Sequence, residues 1–106
     1  MTLSSRFKAS LNKVLNERAL RRIEEAGSET QRVQITYLKK NGSVVQREIR
    51  PYEIKPHRTS GTLMVYGTDT LHGAGQIHSF IAGNIQAASQ PLGSFKPIWP
   101  VVIGEE

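Results

Sequence analysis

The sequence predicts an α+β protein: an N-terminal helical arm followed by a small, five-stranded, strongly bent antiparallel β-barrel. Three observations point there. Apolar residues recur at helical spacing near the N-terminus, a two-sided apolar alternation flanks Lys40-Asn41-Gly42, and the remaining apolar segments are short and cut by glycine and proline. With 106 residues the chain has length for one domain. The arm is assigned to residues 1–27 and the barrel to residues 32–103.

Residues 2–26 read as helix. Leu3, Phe7, Leu11, Val14 and Leu15 form one stripe, and Ala19, Leu20 and Ile23 drift away from it. Two helices breaking near Asn16 reconcile the two stripes, with Asn16 as N-cap and Glu17 in the first turn, where the helix dipole favours an acid. Gly27 fits the C-terminal stop. The first stripe needs a cover. It can cap an open end of the barrel or pack against its copy in a homodimer formed through residues 1–26.

The hairpin spans Arg32–Arg50. A two-residue loop would set Ile35 against Glu48 and Val33 against Arg50. A three-residue loop, Lys40-Asn41-Gly42, sets Val33 against Ile49, Ile35 against Arg47 and Tyr37 against Val45. A slip of one residue turns every side chain to the other face, so the register that gathers apolar residues is expected, with Gly42 left-handed and a bulge. Arg47 then interrupts the apolar face, either as a charge beside a ligand groove or with its stem on the sheet and its head in water.

Pro51-Tyr52-Glu53-Ile54 is expected to end the second strand, because proline cannot donate to a central ladder. Lys55–Gly61 is a basic loop. Thr62–Thr68 is a third strand, apolar on both faces and centrally placed. Asp69–Gly75 is a turn, Gln76–Ala82 a fourth strand, Gly83-Asn84 a corner, and Ile85–Ser89 a fifth strand. In the proline-punctuated tail, Phe95, Ile98 and Trp99 are expected to pin the chain to the barrel. Trp99 can alternatively stack on a base.

The formal net charge is +5, distributed unevenly. Residues 32–58 carry seven basic side chains (Arg32, Lys39, Lys40, Arg47, Arg50, Lys55 and Arg58) against Glu48 and Glu53, whereas residues 59–106 carry Lys96 against Asp69, Glu105 and Glu106. A one-sided positive field favours polyanions. There is no cysteine, which removes disulfides and thiol chemistry and fits a reducing cytoplasm. No apolar run reaches signal-peptide or membrane-span length, so a soluble, cytoplasmic protein is expected.

Catalysis is not expected. His57, His72 and His78 lack the HxxxH or HExxH spacing of a metal site. Adjacent Ser79 and His78 point to opposite faces of a strand and cannot act on each other. Gly73-Ala74-Gly75 has no following Lys-Ser or Lys-Thr and is no phosphate loop. No catalytic residue, metal or cofactor is assigned. Arg47, Arg50, Lys55, His57 and Arg58 interleave with Tyr37, Tyr52 and Tyr66, the composition of a single-strand nucleic-acid platform: cations meet phosphates and rings stack on bases.

The order ITYLKKNGSVVQREIRPYEI (35–54), LMVYGTD (63–69), IHSFIAGNI (77–85) and FKPIWPV (95–101) resembles the WYL domain. The resemblance implies an Sm-like, SH3-like barrel, commonly attached to bacterial helix-turn-helix regulators and defence-system proteins, and suggests a phage or mobile-element product. Arg47 and Pro51 match the family's second strand, and Phe80 its Arg-x-Phe motif. His78 and Asn84 stand where the family places two ligand-contacting arginines, and Leu63-Met64-Val65 stands where Trp-Tyr-Leu would be. The expected function is a non-enzymatic, nucleic-acid-binding or ligand-sensing regulatory domain. Arg47, Arg50, Lys55 and Arg58 would hold phosphates of single-stranded nucleic acid or another anionic ligand, and Tyr66, His78 and Asn84 would line the groove. Four single-strand phosphate contacts give a log–log salt slope of about −3. The alternative is a protein-interaction module that dimerises or binds a host protein through its N-terminal helices.

Overall fold

The hairpin register is the one that gathers the apolar residues. In the computed structural model, which describes residues 5–73 and 75–103 with side chains from residue 11 onward, β1 (Gln31–Leu38) pairs antiparallel with β2 (Val44–Pro56). Val33 faces Ile49, Ile35 faces Arg47 and Tyr37 faces Val45. The Gly42 amide donates to the Lys39 carbonyl at 3.0 Å and the Lys39 amide to the Ser43 carbonyl at 2.9 Å, closing a three-residue loop. Gly42 has φ +88°, the left-handed conformation that favours glycine there. Asn41 Oδ1 accepts from the Ser43 amide at 2.9 Å and steadies the turn.

β3 (Leu63–Asp69), β4 (His78–Ile81) and β5 (Ile85–Ala88) follow. The spatial order is β4-β3-β2-β1-β5, which places β3 inside the sheet as expected. The sheet is not a closed barrel: β4 and β5 are its edges, joined by a single 3-10 turn at Ala82–Asn84. A two-residue strand, β6 (Gly93–Ser94), pairs with the start of β1 and was not foreseen.

β2 does not stop at Pro51. It runs to Pro56 through a bulge at Tyr52, since Pro51 faces Gly67 and Glu53 faces Tyr66 on β3. Proline is tolerated because β1 pairing has already ended at Ile49, so no ladder bond to β1 is lost there. A Cβ on Gly67 would lie 2.5 Å from the Arg50 carbonyl oxygen, so the close approach of the strands at this point needs glycine. The Tyr52 carbonyl accepts from the Val102 amide at 3.0 Å and the Tyr52 hydroxyl from the Ile98 amide at 3.1 Å. The tail is thus tied to the bulge. Phe95 is buried against Tyr52, but Ile98 and Trp99 stay largely on the surface.

One helix, α1 (Ser5–Ser28), replaces the two expected. Asn16 caps nothing. Its side-chain amide donates to the carbonyls of Ala82 at 2.7 Å and Ile85 at 2.8 Å and ties the helix to the β4–β5 corner. Ala19, Ile23 and Ala26 are buried with Val33, Ile35, Ile49, Val65, Phe80 and Ile85 in one core. The second half of the helix therefore covers the inner face of the sheet. Leu11, Val14 and Leu15 are 42, 51 and 39% exposed, so a straight helix has no need to bury both stripes. Leu3 of the first stripe and the Phe7 side chain lie outside the described residues, as do Ala74, Glu105 and Glu106. No described helix is long and apolar enough to cross a membrane.

Because Ile23 is fully buried between helix and sheet, Ile23→Ala should lower unfolding stability by about 2–5 kcal/mol. Urea denaturation followed by circular dichroism measures this. A loss under about 1 kcal/mol would mean that the helix does not cover the core.

Candidate functional site

The strand registers divide the site residues between two faces of the sheet. Val65, Gly67 and Asp69 on β3 lie opposite Ile54, Pro51 and Ile49, and His78 lies opposite Gly67. With Arg47 opposite Ile35, this places Arg47, Asp69 and His78 on the inner face, where α1 does not reach. Thr68, Tyr66 and Met64 take the other face, opposite Arg50, Glu53 and Lys55. Arg50 and Lys55 are an odd number of residues apart and would point opposite ways on a regular strand. The extra residue at Tyr52 brings them to one face.

On the inner face, Arg47, Lys39, Tyr37, Asp69, His72 and His78 line a hollow of about 160 Å3. Its floor is an edge-to-face pair, Tyr37 on Phe80, with ring centroids 5.2 Å apart. The Tyr37 hydroxyl accepts from the Ile81 amide at 3.0 Å, which fixes the ring. The Arg47 guanidinium donates to the Gln46 carbonyl at 3.0 Å, so its head folds back onto its own strand.

Asp69 is 3% exposed. Its Oδ1 accepts from the His72 amide at 2.7 Å, and both carboxylate oxygens lie within 3.0 Å of His72 Nδ1. Burial pushes the Asp69 carboxyl up, but the hydrogen bonds from His72 and the positive charge available to the His72 and His78 rings outweigh it. The net effect holds the carboxyl below its usual range. The His72 and His78 rings lie 4.5 Å apart, and one donor atom from each of Asp69, His72 and His78 falls within 4.8 Å of the others. His78 Nε2 is buried and has no hydrogen-bond partner among the described residues. No helical or finger-type histidine spacing marks this cluster in the sequence, because it is assembled by β3–β4 pairing across a turn.

The outer face carries a hollow of about 310 Å3 lined by Tyr52, Glu53, Lys55, Tyr66, Ile77, Trp99 and Pro100. The Lys55 ammonium sits over the Tyr66 ring at 5.4 Å and pairs with Glu53 at 3.2 Å. Trp99 packs edge-on to Tyr52 at 5.6 Å and is 39% exposed, so the tail contributes an accessible aromatic face. Arg50 Nη1 donates to Thr68 Oγ1 at 3.2 Å on this face. Arg58 lies on the exposed 57–62 loop, closed by the His57 amide donating to the Thr62 carbonyl at 2.7 Å.

Asn84 is in neither hollow. It lines a third depression with Asn12, Leu15 and Asn16 of α1. The single groove expected of Arg47, Arg50, Lys55, Arg58, Tyr66, His78 and Asn84 is therefore three separate places. Arg47 and His78 share the inner hollow, Lys55 and Tyr66 the outer one with Arg50 on the same face and Arg58 on the loop after β2, and Asn84 stands at the helix–corner junction. Alternation along β2, reset by the bulge, is the physical reason.

No family model matches the chain, and no curated protein matches it. Among solved structures it is similar to the proteasome accessory factor B/C (PafBC) of Arthrobacter aurescens, with a TM-score of 0.63 and 24% identity over 74% of this chain. The match covers 12% of PafBC, so the chain corresponds to a small part of that protein. The likeness shows that the two share a fold over this part of their chains.

The Asp69 carboxyl titrates lower folded than unfolded. It therefore stabilises the fold above its unfolded-state pKa, and that contribution is lost as pH falls through the folded-state value. Asp69→Asn should destabilise the protein at pH 7, and the difference should vanish in acid below the usual carboxylate range. Urea midpoints compared across pH in EDTA buffer read this, and a gap that stays constant into acid would contradict it.

Proposed function

We propose that the chain is a non-enzymatic regulatory domain that binds single-stranded nucleic acid on the outer face of β2–β3. The carrying observation is the Lys55 ammonium stacked over Tyr66 beside the accessible Trp99 ring, in one open hollow. Rings take bases and cations take phosphates, and stacking contributes about 1–3 kcal/mol per base. Arg50 shares the face and Arg58 lies on the loop that leaves it, so the phosphate track has three cations, Arg50, Lys55 and Arg58. Arg47, on the other side of the sheet, leaves this set. The regulatory setting rests on the resemblance of residues 35–54, 63–69, 77–85 and 95–101 to the WYL domain.

Trp99 is the sole tryptophan, so its fluorescence reports on the proposed surface directly. A labelled single-stranded oligonucleotide should bind with a log–log salt slope of about −2, the value for three single-strand phosphates. Binding should quench Trp99. Tyr66→Ala and Lys55→Ala should each weaken binding about fivefold or more, as loss of one stacking or cationic contact does, while Arg47→Ala changes it by less than about twofold. A flat salt response with unquenched Trp99 would refute the proposal.

A second reading is favoured by the exposed Leu11, Val14 and Leu15 on α1: docking to a second copy or a host protein through the helix. Deleting residues 1–26 would remove core residues Ala19, Ile23 and Ala26 and cannot isolate this role. Leu11→Glu with Val14→Glu spares the core. If the stripe dimerises the protein, sedimentation velocity should show a dimer that becomes a monomer in the double variant. A wild-type monomer would rule out the homodimer.

A further inference from the structure

We propose that Asp69, His72 and His78 form a binding site for a divalent transition-metal ion of the zinc class. The sequence pattern is Asp-x2-His-x5-His across the β3–β4 turn. Asp69 is the last residue of β3, His72 lies in the turn, and His78 opens β4 opposite Gly67. One donor atom from each falls within 4.8 Å of the others. Zinc bonds of about 2.0–2.2 Å in a tetrahedron place donor atoms about 3.4 Å apart. A pair at the full 4.8 Å must therefore close by about 1.4 Å. The His72 side chain is 44% exposed on its turn and can move, whereas Asp69 is fixed by burial.

The orphaned nitrogen separates a metal site from a simple turn cap. The Asp69–His72 hydrogen bonds account for a cap by themselves. They leave His78 Nε2 buried beside a second imidazole, without a partner among the described residues. A buried polar atom left unsatisfied costs about 1–3 kcal/mol, and a metal bond would satisfy it. Two imidazoles and one carboxylate are the donors of zinc, iron(II), nickel and copper sites, not of calcium or magnesium cages. The Asp69 carboxylate also accepts from the His72 backbone amide, an outer-shell bond of the kind that orients metal ligands. Three protein donors leave one position open toward the hollow. Arg47 and Lys39 line that hollow, so they oppose the cation electrostatically and favour an anion in the open position.

The test uses the full chain, stripped with EDTA and titrated calorimetrically with zinc sulfate, with cobalt(II) absorption as a geometric readout. One zinc per chain is expected, together with the intense visible bands of tetrahedral cobalt. His72→Gln and His78→Gln should each weaken zinc binding at least about tenfold. His57→Gln, outside the cluster, should leave it unchanged. His72 is exposed, so its variant folds even if the His78 variant does not, and circular dichroism checks both. No stoichiometric uptake, or zinc binding in His72→Gln equal to that of the unaltered chain, would overturn the site. Zinc uptake is measured without oligonucleotide, so it stands or falls apart from nucleic-acid binding at Lys55 and Tyr66.

Discussion

The register of β2 against its two neighbours is the constraint on which the rest depends. The Lys40-Asn41-Gly42 loop sets Ile35 against Arg47, so Arg47 joins the inner face although it is charged. Three residues later Arg50 points the other way. The bulge at Tyr52 then resets the alternation, and Lys55 returns to the face of Arg50 instead of that of Arg47. One strand thus delivers cations to two opposite surfaces. Tyr52 itself is held by the tail through Ile98 and Val102, so the bulge and the placement of Trp99 are one structural event.

The helix decides which part of the inner face stays open. Ala19, Ile23 and Ala26 cover the strands near the core, and Asn16 fastens the helix to the β4–β5 corner. Beyond that cover the inner face ends in Lys39, Arg47, Asp69 and His78. Polar groups are affordable there because water reaches the hollow. Asp69 and His78 Nε2 are the exceptions: the carboxylate is buried and takes its hydrogen bonds from His72, and the imidazole nitrogen is buried with no partner among the described residues. The charge of the chain is therefore sorted by backbone geometry. An aromatic, cationic surface lies outside, and a mixed histidine–carboxylate cluster lies within.

Much of the fold was legible because local signals agreed with one another. Asn41-Gly42 marked the turn, and a single register paired Val33 with Ile49 and Tyr37 with Val45, so turn chemistry and burial chose the same answer. Two apolar stripes imply a helix break only where both must be buried. The sheet needs only the stripe of Ala19 and Ile23, and Leu11 and Val14 remain exposed. Pro51 by itself signals a strand end, yet β2 continues through it to Pro56. Pro51 sits where pairing to β1 has already finished, and Gly67 makes room for it. The candidate site was less legible for the same reason. A bulge cannot be seen in a sequence whose alternation simply slips, and it decides the face of Lys55. Asp69, His72 and His78 meet only after β3 and β4 pair, so no spacing within a single element announced them.

Proton–proton contacts across the β1–β2 hairpin test the register most directly. In a nuclear Overhauser spectrum, the α-protons of Thr36 and Gln46, and those of Gln34 and Glu48, should give strong cross-peaks. These pairs face each other at the non-hydrogen-bonded positions, where strands come closest. Strong α-proton contacts of Tyr37 with Gln46 and of Ile35 with Glu48 would instead indicate the two-residue loop. Arg47 would then turn outward, and the division of the site between two faces would be wrong.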